Sequence, residues 1–218
     1  MTGRIGLEPV TSGGAANVSF SLQVLTRRQI SRGAVIAAAG VLLLTWVGCA
    51  STPTANRPET WAQPVKLSGV PNLYRVSGEL YRGDQPTPQG MQNLKNLGLK
   101  TIISLRSFHS DRDEIGDTGL AYEHITMKAW HPEEKEAVRF LKIVTDPKRT
   151  PVLVHCQHGA DRTGTMIAVY RIIVQDWSKA EAIQEMTEGG FRFHWIWSNL
   201  PQWVQELDID RIKRQAGM

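Results

Sequence analysis

Residues 151–174 read PVLVHCQHGADRTGTMIAVYRIIV, and no other stretch limits the fold so narrowly. PVLVH at 151–155 is a strand-forming run with no polar face, so it needs cover on both sides of a sheet. TGTMIAVYRIIV at 163–174 is apolar almost all round, the pattern of a helix packed on every side rather than one lying on a surface. Both segments therefore belong at the centre of a domain. The polar loop between them sets one thiol, Cys156, among charged and flexible residues.

The flanking segments continue an alternating pattern. LYRVS at 73–77 and ELYRG at 79–83 straddle Gly78 and predict a small hairpin. Thr87 before Pro88 starts a helix, MQNLKNL repeats apolar residues at helical spacing, and Gly98 stops it. TIISL at 101–105 reads as a buried strand, and AYEHITM at 121–127 reads as a further strand. Between them, 107–119 reads as a charged surface loop in which Asp111, Arg112, Asp113 and Glu114 form a solvated turn. Pro132 is expected at the first position of a helix with Glu133, Glu134 and Glu136 in its first turn and Ala137, Phe140, Leu141 and Val144 facing inward. Ser178 and Glu181 form a capping box for the next helix, which Gly189 and Gly190 end. PQWVQELDIDRIKRQ predicts one closing helix, and the aromatic residues of 191–197 with Trp203 either pack between the last two helices or wall the active site. Strands alternating with helices indicate an α/β fold, with a small, largely parallel central sheet flanked by helices.

The chain of 218 residues suffices for one substantial core. Its net charge of +4 does not describe the folded part: four of the 25 Lys and Arg lie in residues 1–48, against one of the 21 Asp and Glu. A near-neutral remainder without a Lys/Arg stripe excludes nucleic acid as the expected partner. Residues 27–49 combine an Arg-bearing start, an apolar run of 14 residues and small residues beside Cys49. That run is short of the ~20 residues that span a bilayer, and the layout is that of an export signal. Val47-Gly48-Cys49-Ala50 resembles a bacterial lipobox, and residues 26–32 resemble a twin-arginine signal. The resemblance implies an exported lipoprotein held to a membrane, on its periplasmic face, by a lipidated Cys49. The Pro/Thr/Ala-rich piece that follows reads as a tether. The expected division is a signal region 1–48, a tether 49–68 and a folded domain 69–218. With Cys49 acylated, Cys156 has no disulfide partner in the chain, so its thiol serves packing or chemistry.

The loop joins a strand end to a helix start, where backbone N–H groups wrap a tetrahedral anion. Gln157, His158, Gly159, Ala160 and Gly164 would form that cradle. The same positive environment favours a thiolate, which makes Cys156 the candidate nucleophile. Arg162, a planar fork, would hold two phosphoryl oxygens and follow their charge into the transition state. Thr163 would donate its hydroxyl to the sulfur when it leaves, and His155 would hold the loop by hydrogen bonds.

His155, Cys156, Gly159, Arg162, Thr163 and Gly164 resemble the His-Cys-x5-Arg-Thr/Ser-Gly signature of the cysteine-dependent protein tyrosine and dual-specificity phosphatases. LYRGDQPTPQGMQNLKNLGLKTIISLR resembles the opening of the compact atypical dual-specificity phosphatases, a group that includes fungal inositol-pyrophosphate phosphatases. The likeness runs over about residues 70–208. It implies a cysteine-phosphatase-like fold and hydrolysis of a phosphomonoester, in a protein or a small molecule, through a cysteinyl phosphate that needs no cofactor. It also puts Arg106 at the end of a central strand, as a phosphate contact or an ordinary solvated arginine.

Such phosphatases supply an acid, an Asp, from a loop that here reads Lys128-Ala129-Trp130-His131-Pro132-Glu133-Glu134 and contains none. Three sources are left for the proton: Asp161, which matches an Asp of the myotubularin phosphatases; His131 or Glu133; or solvent. The absence of Lys and Arg from positions 157–161 favours phosphotyrosine or another monoester over a highly anionic inositol phosphate or lipid. A tethered phosphoanion-binding module with little turnover and an inositol-phosphate or lipid phosphatase are the competing readings. Sulfur transfer or arsenate reduction uses a similar loop but fits the upstream pattern less well. His124, His158 and His194 lack ligand-like spacing, so no metal is expected.

Overall fold

The structure, a computed structural model, describes residues 57–218; the expectations for the signal region 1–48 and for Cys49 lie outside them. In chain order the strands are Gln63–Pro64 (β1), Tyr74–Arg75 (β2), Leu80–Gly83 (β3), Thr101–Ser104 (β4), Ala121–His124 (β5) and Val152–His155 (β6). They form one sheet in the order β1-β2-β3-β6-β4-β5. The first two pairings are antiparallel, and β3, β6, β4 and β5 run parallel. The sheet is thus largely parallel, as the alternating pattern predicts, and the hairpin around Gly78 with β1 beyond it forms its antiparallel side.

Strand β6 lies at the centre, and the reason is visible in its side chains. Val152 and Val154, with Ile103 of β4, enter the larger core; Leu153 and Ile102 enter a smaller one on the other face with Met91 and Leu94. With both faces covered, the inner residues of both strands, Ile102, Ile103, Leu153 and Val154, are apolar on both sides. The smaller core lies under Pro88–Asn96 (α1), whose start Thr87 caps by accepting from Gly90 N–H at 3.1 Å. A short helix, Arg112–Ile115 (α2), and a 3-10 turn at Gly116–Thr118 follow β4. The larger core is built by Glu134–Val144 (α3), Asp161–Val174 (α4), Lys179–Glu188 (α5), Asn199–Glu206 (α6) and Ile209–Ala216 (α7).

Four sequence expectations need correction. Residues 107–119 are not a plain surface loop, for they carry α2 and Asp111 has no exposed surface. Pro132 lies outside α3: Glu133 is the N-cap, and its N–H is taken by the Glu136 carboxylate at 3.0 Å in a capping box. The closing helix is two helices, because Leu207 turns extended and Asp208 caps α7 by accepting from Arg211 N–H at 2.9 Å. Finally, the fold takes in residues 57–68, which the sequence assigned to the tether. Pro64 pairs with Tyr74, and Ala62 is buried with its N–H 2.6 Å from Glu185 Oε1. That carboxylate is itself locked by Arg171, whose Nε and Nη2 each lie 2.7 Å from its oxygens. Among the described residues no helix is long and apolar enough to cross a membrane.

Candidate active site

The parallel register sets Gly83, His155 and Ser104 in one row at the carboxyl ends of β3, β6 and β4, the edge where open α/β sheets place their ligands. From His155 the backbone turns through residues 156–160 and enters α4 at Asp161, where no side chain caps the first N–H groups. A cavity of about 410 Å³ opens there, lined from this loop by Gln157, His158, Asp161 and Arg162. Cys156 is 1% exposed. Gly159 has φ of +60°, and a Cβ on it would stand 2.3 Å from Gly83 O and 2.6 Å from Asp84 N. Only glycine lets the loop fold against the end of β3.

Arg82, buried in β3, supports the loop from behind. Its Nη2 donates to Gly159 O at 2.8 Å and Ala160 O at 3.4 Å, its guanidinium lies 3.6 Å over the Phe191 ring, and its Nε and Nη1 have no partner among the described residues. Burial pulls its pKa down to about 10, against the opposing charges of Glu185 and Cys156. Arg82 is therefore still a cation at neutral pH, and the sulfur is among the groups that feel it. Sequence reasoning passed over it, although its place two residues from Leu80 on a strand marks an inward arginine.

A second support reaches Cys156 through His155. The His155 ring places Nδ1 3.2 Å from Cys156 O and Nε2 2.6 Å from Asp111 Oδ2. Both partners only accept, so both bonds form together when both ring nitrogens carry protons. Asp111 Oδ1 takes Gln85 Nε2 at 3.1 Å, and Gln85 Oε1 takes Nη1 of the cavity-lining Arg106 at 3.1 Å. Burial opposes charge on Asp111, but the hydrogen bond and charge of His155, with Gln85, outweigh it and hold the carboxyl below its ordinary range. Arg106 thus faces the cavity and is also tied to this chain. His109, Asp111 and Glu114 converge within 4.8 Å, yet both Asp111 oxygens already serve His155 and Gln85.

Arg162 lines the cavity while Nη1 donates to Leu105 O at 3.3 Å, which fixes the guanidinium against the end of β4. The Thr163 hydroxyl is buried with no partner among the described residues. Asp161 turns its carboxylate to His194: Oδ1 accepts the backbone N–H at 2.8 Å and Oδ2 lies 2.9 Å from Nδ1. The two other candidate acids stay outside the cavity. His131 is exposed and bridges back to Lys128, and Glu133 caps α3 and pairs with Lys135 at 2.5 Å, which holds its carboxyl low. From that loop Ala129 and Trp130 line the cavity instead.

The aromatic segment after α5 divides between packing and wall. Phe191 is buried under Arg82 and meets Tyr74 edge-on at 4.8 Å, whereas His194, Ile196 and Trp197 line the cavity. Phe108 and Ile196, 90% and 81% exposed, give the cavity an apolar mouth together with Trp130.

Comparison with known proteins agrees with this geometry. Residues 63–194 match the family model of a DSP-PTPase phosphatase fused to NAD+ kinase. The dual specificity protein phosphatase TpbA of Pseudomonas aeruginosa is 34% identical over 175 residues, which are 80% of this chain and 79% of that one. The TpbA crystal structure superposes with a TM-score of 0.67 over 74% of this chain and 99% of that one. A cysteine-to-serine variant of TpbA in complex with pTyr gives 0.66 at 33% identity, over 74% and 98%. The core catalytic domain of the PP-IP phosphatase SIW14 from Saccharomyces cerevisiae gives 0.60 at 26% identity, over 70% and 94%.

Proposed function

Since the chain belongs to the family of cysteine-dependent dual-specificity phosphatases, we propose that it hydrolyses aryl phosphomonoesters, foremost phosphotyrosine in proteins or peptides. The observation that carries this reading is one loop at the end of β6 that holds Cys156 and Arg162 beside a cavity of about 410 Å³. The Cys156 thiolate attacks phosphorus, the P–O bond to the leaving group breaks, and a cysteinyl phosphate forms. Loop N–H groups and the Arg162 fork stabilise the phosphoryl charge through this step. Water then attacks the phosphorus and the sulfur departs, with Thr163 donating its hydroxyl to the leaving thiolate.

Three features support the aryl substrate. No Lys or Arg occupies positions 157–161, the mouth presents Phe108, Trp130 and Ile196 to a ring, and a related phosphatase has been crystallised with pTyr. The likeness to SIW14 and the pairing of Arg106 with Arg162 at the cavity support an inositol-phosphate reading; Asp161 beside them opposes a polyanion. The protein works, in this proposal, at a bacterial membrane on its periplasmic side, held by a lipidated Cys49, because residues 27–50 combine a short apolar run with a lipobox-like end.

A panel of phosphotyrosine peptide, phosphoserine peptide and inositol phosphates and diphosphates tests the substrate. The expected result is the highest kcat/KM on the phosphotyrosine peptide. Preference for an inositol phosphate would overturn the substrate class, and tight phosphate binding without turnover on any substrate would make the protein a binding module.

A further inference from the structure

We propose that His194 is the proton donor to the leaving group and the proton acceptor from water in the second step, with Asp161 as its positioning residue. The assignment rests on the phosphatase reading above and deepens it. The acid is the missing part of that site: its usual loop contains no Asp, and His131 and Glu133 both stay outside the cavity.

The geometry around Asp161 points to a donor other than itself. Its two oxygens receive the backbone N–H of His194 at 2.8 Å and Nδ1 at 2.9 Å. An ionised carboxylate only accepts, so the proton of that second bond belongs to Nδ1. The tautomer is thereby fixed, and Nε2 is the nitrogen left to work in the cavity that His194 lines. Exposure divides the pair in the same sense: the Asp161 side chain is 9% exposed and the His194 side chain 45%. A buried carboxylate that orients a more open imidazole is the arrangement in which the imidazole moves the proton and the carboxylate does not.

The support is two-point. The bond to the His194 backbone holds the main chain, and the bond to Nδ1 holds the ring. Both arise from the first turn of α4, the helix whose N-terminus closes the cradle, so cradle and donor keep one frame. The charged and titratable groups that face His194 are Asp161 and Arg162 of α4, His158 of the loop at 5.3 Å between ring centroids, and Arg106 across the cavity. Of its own segment, Phe193, Trp195 and Trp197 carry no charge, and Arg192 reaches toward Asp84, with Nη2 3.4 Å from Oδ2.

In the first step the P–O electron pair passes to the leaving oxygen, which takes the proton of His194 Nε2 as the S–P bond forms. In the second, water attacks phosphorus and gives its proton back to Nε2 while the S–P pair returns to sulfur. The products are the alcohol or phenol and inorganic phosphate, and both His194 and Cys156 end as they began.

The test is kcat/KM for a series of aryl and alkyl phosphates whose leaving groups run from strongly to weakly acidic. It is measured on the wild-type protein, His194→Gln, His194→Asn and Asp161→Asn, with a thermal melt of each. Proton donation is worth about 10²–10⁴-fold, so both His194 variants should lose that much on alkyl phosphates and little on the most activated aryl phosphates. They should also lose the basic limb of the pH–rate profile. Asp161→Asn should show the same pattern, weaker, because its single amide oxygen can replace only one of the two acceptors and holds the His194 ring less firmly. Equal slowing across all leaving groups, or no slowing, overturns the role of His194 while the wild-type rate keeps the phosphatase reading intact. Full leaving-group dependence in Asp161→Asn with little in the His194 variants moves the donor to Asp161. A wild-type protein inactive on every phosphomonoester removes the reading itself, and the proposal with it.

Discussion

Nε2 of His155 lies 2.6 Å from Oδ2 of Asp111, and neither side chain exposes any surface. The bond spans 44 residues of sequence and sets a buried carboxylate behind the carbonyl of Cys156. Removing one partner of a buried charged pair costs about 3–5 kcal/mol, so Asp111→Ala should lower stability in urea by that order.

The milder Asp111→Asn keeps an acceptor and isolates the charge. The folded Asp111 carboxyl is held below its usual 3.8, so its stabilisation is complete above the unfolded value and fades as pH falls through the folded one. The stability gap between wild type and Asp111→Asn should therefore be constant at neutral pH and shrink below about pH 4. A gap that persists unchanged at pH 2 would refute the ion-pair account.

Cys156→Ser should abolish turnover but still bind a phosphotyrosine peptide, since loop amides and Arg162 are untouched. Arg162→Lys should lose on the order of 10²–10³ in kcat, the usual effect of removing one oriented donor from a developing charge, because an ammonium cannot replace a fork. Near-wild-type hydrolysis by the serine variant would end the covalent mechanism.

Arg82→Met keeps much of the side-chain volume and removes the buried cation that lies behind Gly159. We expect a lower kcat/KM on the phosphotyrosine peptide, because the carbonyls of Gly159 and Ala160 lose their buried donor and the loop loses its support from behind. An unchanged kcat/KM would confine Arg82 to packing.

For the anchor, mass spectrometry of the mature protein should find Cys49 diacylglyceryl-modified at the N-terminus. An intact peptide running from Trp46 to Ser51 in most of the material would be the opposite result.

What the sequence disclosed depended on the distance between partners. The caps at Thr87 and Ser178 were legible because each bond closes within three residues. The central position of β6 was legible because burial on both faces leaves an apolar run. Arg82 and Gly159 are 77 residues apart, Asp111 and His155 44, and Asp161 and His194 33. No local pattern announces such pairs, so Asp111 passed for one member of a charge run and His194 for one of several aromatic neighbours. The break at Leu207 was readable, since Asp208 is a good N-cap, but the amphipathic spacing on either side hid it.

The apolar mouth formed by Phe108, Trp130 and Ile196 has a different standing from the loop beneath it. These side chains project from connections rather than from strands, and substitutions at such exposed positions usually shift stability by no more than about 0.5 kcal/mol. Gly159 and Arg82 have no such latitude. Selection, or a protein engineer, can therefore retune the preferred leaving group by exchanging three rim residues while the phosphate-handling base is inherited unchanged, so divergence among such chains should accumulate at the rim first.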